Sequence, residues 1–73
     1  MRNDLDAVVA TANAMADQHG FVHCRVQSYE ERILVFECAD YLSAERYCGQ
    51  RQLLDSKAWI DDRTPTLVFV RQP

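Results

Sequence analysis

The chain has 73 residues, of which 48% are hydrophobic and 26% are charged, and its eleven acidic and eight basic residues give a net charge of −3. This length predicts a single small domain, residues 1–73, with a limited core. The composition excludes a disordered chain, and the negative charge disfavours a polyanion as the partner.

The sequence also indicates the cellular compartment in which the protein is expected. The first twenty residues contain three aspartates and no continuous apolar run, unlike a secretory signal. No segment approaches the roughly 20 apolar residues that span a bilayer. Three cysteines without a C-x-x-C spacing are typical of a reduced chain. We therefore expect a cytoplasmic protein.

Two segments have helical periodicity. The first ends at Gly20, where a glycine commonly stops a helix. Its apolar residues lie on one stripe, namely Leu5, Val8, Val9, Ala12, Met15 and Ala16. Asp40 is a favourable N-cap for a second helix that continues through Gln52. The apolar side of this second helix carries Ala44, Tyr47 and Cys48.

Two strands are predicted between these helices. Residues 21–28 alternate, with Val22, Cys24 and Val26 on the core face. Residues 33–38 are apolar on both faces: the core set is Leu34, Phe36 and Cys38, and the opposite set includes Ile33 and Val35.

The two strands are expected to form a hairpin. The intervening segment has no Asn-Gly or Asp-Gly pair, so we expect a loop of three to five residues rather than a two-residue turn. A three-residue loop over residues 30–32 would place Cys24 opposite Cys38 and Val26 opposite Phe36, with the apolar sets on one face. We expect both cysteines to be buried, reduced and free of metal.

The rest of the chain predicts one more strand. Residues 55–65 are expected to form a short turn and a loop that place Trp59 and Ile60 at the core edge, and residues 66–71 form the strand. The long connection before it permits a right-handed crossover to a parallel neighbour. The predicted fold is α+β with two layers, in which two helices cover one face of a three-stranded mixed sheet. This α-β-β-α-β topology is similar to a ferredoxin-like unit that lacks its first strand.

No residue pattern indicates catalysis or a cofactor. The chain has no G-x-S-x-G, phosphate-binding loop or H-E-x-x-H motif. A zinc site would need thiolates and imidazoles at recognised spacings, and buried free cysteine is commonly a small core hydrophobe. We therefore expect neither an enzyme nor a metal or small-molecule site. A small metal-stabilised structural protein is the weakest alternative, with His19, His23, Cys24, Cys38 and Cys48 as its candidate ligands.

Protein binding is the function class that remains. If both helices cover one sheet face, the other face has an apolar centre and a polar rim, as protein interfaces do. We expect this face to bind a larger protein or a second copy of the chain. The candidate residues are His23, Arg25, Ile33, Val35, Glu37, Val68 and Val70.

Two further interpretations concern the partner. Arg46, Tyr47 and Arg51 on the second helix are an alternative surface, with which an adaptor would bind nucleic acid by charge and stacking. Nearby acidic residues offset that charge. Short acidic chains without motifs are also frequent among phage inhibitors, including anti-CRISPR proteins, which is a profile of size and composition.

Overall fold

Two helices and four strands make up the fold. The structure, a computed structural model, describes residues 2–54 and 57–72, with side chains described from Leu5 onward within those ranges. The elements are α1 (Arg2–Gln18), β1 (Arg25–Glu30), β2 (Ile33–Glu37), α2 (Tyr41–Leu53), β3 (Lys57–Asp61) and β4 (Thr64–Arg71). None of the helices in these ranges is long and apolar enough to cross a bilayer.

The strands form one antiparallel sheet in the order β1-β2-β4-β3. The α+β class is confirmed, but the predicted three-stranded mixed sheet is wrong, and the likeness to a ferredoxin-like unit is not confirmed. The physical reason is β3, which occupies part of the segment predicted as turn and loop. It forms a hairpin with β4, and this reverses β4 so that it runs antiparallel to β2.

The end of α1 determines where β1 starts. Gly20 has a φ of +86°, and the Phe21 N–H donates to the Ala16 carbonyl at 2.8 Å, as in a Schellman motif. The Cys24 N–H then donates to the Phe21 carbonyl at 3.1 Å, which makes a turn. Consequently β1 begins only at Arg25. Val22 lies in this turn and is 53% exposed, so its predicted core position is wrong.

The predicted cap of α2 is confirmed. Asp40 is extended, and its side chain accepts a hydrogen bond from the Ser43 N–H at 2.8 Å. The hydrogen bonds from Ser43 lower the pKa of the Asp40 carboxyl below its usual range. The helix continues to Leu53, one residue beyond the predicted end.

The β1–β2 hairpin closes through a two-residue turn. Glu30 pairs with Ile33, and the turn residues Glu31 and Arg32 have φ values of 51° and 69°. The predicted loop of three to five residues is therefore wrong. The predicted pairing of Val26 with Phe36 is nevertheless confirmed, because a bulge after Val26 takes up the one-residue difference.

Two non-glycine residues in the left-handed region make this turn a site for stabilisation. Arg32→Gly is expected to stabilise the chain by about 0.5–1 kcal/mol, because glycine adopts positive φ without the steric cost of a side chain. Urea denaturation would measure the change. Arg63→Gly in the β3–β4 turn is the matched control, since Arg63 has no positive φ there and glycine should not stabilise. Equal effects at both positions would contradict this explanation.

The core lies between the sheet and both helices. Its buried members from α1 and α2 are small or aromatic, and those from β2 and β4 are aliphatic or aromatic. They include Ala12, Ala16, Ala44, Tyr47, Cys48, Leu34, Phe36, Val68 and Val70. Since residues of both helices pack on the same sheet residues, the two helices share one face and leave the other face open.

Candidate interaction surface: the open face of the sheet

Strand alternation decides which residues lie on the open face. In β2, Leu34 and Phe36 are buried towards the helices, so Ile33 and Val35 point to the opposite side, where they are half-buried. This placement agrees with the prediction.

The predicted placement of Val68 and Val70 on the open face is wrong. Both side chains are 0% exposed and belong to the core. In the observed register Leu34 pairs with Val70 and Phe36 with Val68, so each pair shares the helix side of the sheet. The alternate β4 residues, Leu67 and Phe69, therefore lie on the open face and are half-buried.

An apolar row crosses the centre of the open face from one edge strand to the other. Ser28 pairs with Val35, Val35 with Phe69, and Phe69 with Trp59. We call these four residues the middle row. The rings of Trp59 and Phe69 are stacked, with centroids 5.5 Å apart and an interplanar angle of 11°. Trp59 remains 40% exposed, so the stacked pair offers accessible aromatic surface.

A shallow depression of about 320 Å³ lies over this part of the sheet. The middle row forms much of its lining, and residues from both hairpin ends complete it, namely Glu30, Glu31, Ile33 and Asp61. The depression therefore combines an apolar floor with carboxylates at its margin.

Positive charge is concentrated on one side of the middle row. Ile33 pairs with Arg71, and Arg71 pairs with Lys57, while Glu30 lies at the β1 end of the same line. We call these four residues the basic row. Lys57 and Arg71 are directly opposite each other and exposed, an arrangement in which like charges repel.

Negative charge lies on the other side. Glu37 pairs with Leu67, and Asp61 follows Trp59 by two positions on β3 and lines the same depression. We call Glu37, Leu67 and Asp61 the acidic row. One oxygen of Asp61 accepts a hydrogen bond from the Arg63 N–H at 3.0 Å, which leaves the other carboxylate oxygen for an external partner.

Two of the predicted binding residues belong to the border of this surface. Arg25 pairs in register with Glu37, but its guanidinium binds the carboxylate of Asp17, and its Nε donates to the Val22 carbonyl at 3.1 Å. Its charge thus connects β1 to the end of α1. His23 is exposed in the turn before β1, beyond the strand rows.

The alternative surface on α2 is not assembled. Arg46 is exposed, but Tyr47 is 1% exposed and Arg51 is 7% exposed. The Tyr47 ring contacts Phe36 at a centroid distance of 4.8 Å, so it cannot stack on a base. Burial raises the pKa of Tyr47 to about 12, with the nearby charge of Arg51 acting in the opposite direction. The predicted exposure of these residues as a group is therefore wrong.

The three thiols contribute to the core. Cys24, Cys38 and Cys48 are buried and free, which confirms the predicted burial of the first two. The Cys24 and Cys38 side chains are hydrogen-bonded to each other, and burial raises the pKa of all three thiols. Among the residues that the structure describes, no three His, Cys, Asp or Glu side chains are grouped so as to hold a metal ion.

The sheet edges are less suited to binding than the open face. On β1, the Val26 N–H already donates to the Asn13 side chain of α1 at 2.9 Å, and the strand is bulged. On β3, the pairing with β4 is irregular between Trp59 and Asp61. Bulges hinder the addition of another strand, so the face presents the better binding surface.

Sequence reasoning missed the part of this surface that β3 provides. Lys57, Trp59 and Asp61 alternate with the inward-facing Ala58 and Ile60, a period of two that indicates a strand. This signal covers only five residues, which is too short a run to distinguish a strand from a turn.

Comparison of the chain with protein-family models, with curated proteins and with solved structures gave no match. Function is therefore inferred from the surface itself.

Proposed function

We propose that the protein is a non-catalytic protein-binding module whose working surface is the open face of the sheet. The observation that carries this proposal is the stacked pair of Trp59 and Phe69 in the middle row, on a face that neither helix covers. Tryptophan and other aromatic side chains are enriched among the residues that contribute most to protein interfaces.

The energetics of the face support a protein partner. Burying a large apolar side chain stabilises a complex by about 1.5–3 kcal/mol, so Trp59, Phe69 and Val35 together can offset much of the cost of association. The charged rows on either side give the face a polar rim, which would orient the partner and exclude poorly matched ones.

The charge balance of the face argues against nucleic acid as the partner. Lys57 and Arg71 are its basic residues, against Glu30, Glu37 and Asp61. A sequence-independent nucleic-acid surface needs an excess of positive charge along the phosphate backbone. Trp59 would offer stacking, but this rim would repel the phosphates.

The single substitution Trp59→Ser tests the proposal. Trp59 is on an edge strand and partly exposed, so we expect the variant to fold, while binding through the face falls by tenfold or more. Tagged wild-type and variant chains would be compared for self-association and for proteins that co-purify with them. Circular dichroism would verify the fold.

Leu53→Ser is the matched control. Leu53 is 83% exposed on α2, so this change also removes an exposed apolar side chain, but from the helical layer. It should leave binding unchanged. Binding that survives Trp59→Ser, or that is lost equally in both variants, would contradict the assignment of the working surface.

A further inference from the structure

We infer that the partner on the open face is a second copy of this chain, packed face to face about a two-fold axis that runs across the strands along the middle row. This inference rests on the proposed function of the face. Its basis is the sign pattern of the charges, which is self-complementary under that symmetry.

The symmetry follows from the register of the four strands. A two-fold axis along the middle row places Ser28, Val35, Phe69 and Trp59 opposite their own copies. Rotation about this axis exchanges the two sides of the middle row. On a given strand, a residue two positions before the row therefore faces the partner's residue two positions after it. The basic row of each chain consequently faces the acidic row of its partner, as an isologous interface requires.

Opposite charges meet at the β3 end of these rows. On β3, Lys57 and Asp61 lie two positions on either side of Trp59, so Lys57 faces Asp61 of the other copy, and the pair occurs twice. On β1, the position of Arg25 lies opposite Glu30 of the other copy, but the Arg25 guanidinium binds Asp17 of α1, so this end of the rows adds no ion pair. The charged pair that the facing rows do form, Lys57 with Asp61, is of opposite sign.

The arrangement also relieves a repulsion within each chain. Lys57 and Arg71 are cross-strand neighbours of the same sign, which destabilises an isolated sheet. The acidic row of a second copy would bring Glu37 and Asp61 over this pair. Sheets packed face to face are about 10 Å apart, a distance that long basic side chains bridge.

The size of the face predicts a weak dimer. Four strands about 4.8 Å apart and five residues spaced about 3.3 Å apart give a face of about 14 × 13 Å between Cα atoms. That area is well below the roughly 800 Å² that each partner buries in a standard interface. We therefore expect a dissociation constant in the micromolar range and a monomer–dimer equilibrium that depends on concentration.

Sedimentation velocity over a hundredfold range of concentration would show this equilibrium. Lys57→Glu alone and Asp61→Lys alone should each weaken the dimer by about tenfold or more, because each places like charges opposite one another twice. An equimolar mixture of these two variants should form a heterodimer. In it, the introduced glutamate of one chain faces the introduced lysine of the other, and the unchanged Lys57 faces the unchanged Asp61. The double variant should dimerise about as well as the wild type.

If Asp61→Lys fails to fold because it loses the Arg63 contact, Arg71→Glu and Glu37→Lys provide a second pair for the same mixing experiment, since these residues lie diagonally across the interface on the neighbouring strands β4 and β2. Under an axis parallel to the strands, Lys57 would instead face Glu30 of the other copy. If Glu30→Lys restores dimerisation of the Lys57→Glu variant and Asp61→Lys does not, the axis inferred here is overturned in favour of the parallel one.

Other outcomes separate this inference from the proposed function. A monomer at every concentration would overturn the dimer, while capture of another protein that Trp59→Ser abolishes would leave the binding face established. A dimer that Trp59→Ser and the charge variants leave intact would overturn both.

Discussion

Phe36→Ala is expected to leave most of the protein unfolded. Phe36 is 0% exposed and packs edge-on against Tyr47. Truncation of a buried phenylalanine costs about 3–5 kcal/mol, through lost burial and the cavity left behind. In a domain of this size a single core rarely supplies more than about 3–5 kcal/mol of stability, so little or none would remain. Thermal and urea denaturation, followed by circular dichroism, would measure the loss.

Phe69→Ala is the matched control for this prediction. It removes the same side chain from the opposite face of the sheet, where Phe69 is half-buried. At concentrations where the chain is monomeric we expect a cost of only about 1 kcal/mol. If the two variants lose equal stability, the distinction between a core face and an open face is wrong.

A large loss of stability is also expected at alkaline pH. Burial raises the pKa of the thiols of Cys24, Cys38 and Cys48 above their ordinary value and raises the pKa of Tyr47 from 10.0 to about 12. The unfolded chain therefore releases these protons at lower pH than the folded chain does. Between the two pKa values the unfolded state binds fewer protons, and stability falls as pH rises.

The thiols should begin this decline above about pH 8.5, and Tyr47 should steepen it between pH 10 and 12. For Tyr47, a rise in pKa of this size corresponds to a loss of about 2–3 kcal/mol in the free energy of unfolding across this pH range. Urea denaturation at a series of pH values would measure the decline.

Tyr47→Phe separates the phenol from the thiols. This variant should lose less stability than the wild type between pH 10 and 12, while the earlier decline persists. Tyr41→Phe is the control, because it removes the same hydroxyl group from an exposed side chain outside the core. Parallel profiles for the wild type and Tyr47→Phe would contradict the role of the buried phenol.

The sequence predicted the elements with long or well-marked patterns. The stripe that ends at Gly20 and the cap at Asp40 each determine a helix by local chemistry, and the alternation around Phe36 determines a central strand. These features depend on neighbouring residues, so they can be interpreted without knowledge of the tertiary fold.

The errors arose where distant residues decide the outcome. Leu67, Val68, Phe69 and Val70 are all apolar, so composition alone does not determine which two face the helices. Pairing with β2 decides it, because Val68 and Val70 align with Phe36 and Leu34. Because the faces of β4 were exchanged in the prediction, Phe69 was not among the predicted surface residues. Since β3 was not predicted either, the aromatic part of the candidate surface was missing from the prediction.

The turns were difficult to predict for a different reason. Glu31 and Arg32 adopt positive φ although neither is glycine or asparagine, so the usual sequence signal for a two-residue turn is absent. The pairing of β1 with β2 offsets the steric cost of these two positive φ angles. The bulge after Val26 then restores the register that the core requires, which local preferences do not specify.

The strand order has a consequence for how quickly the chain folds. The outer ladders β1–β2 and β3–β4 each join strands that are adjacent in the chain, and hairpins of this kind form in about 1–10 μs. The central ladder instead joins Glu37 to Leu67 across α2 and β3. Closing such a long loop costs entropy before its contacts form. The docking of two preformed hairpins, rather than the formation of either, should therefore limit the folding rate.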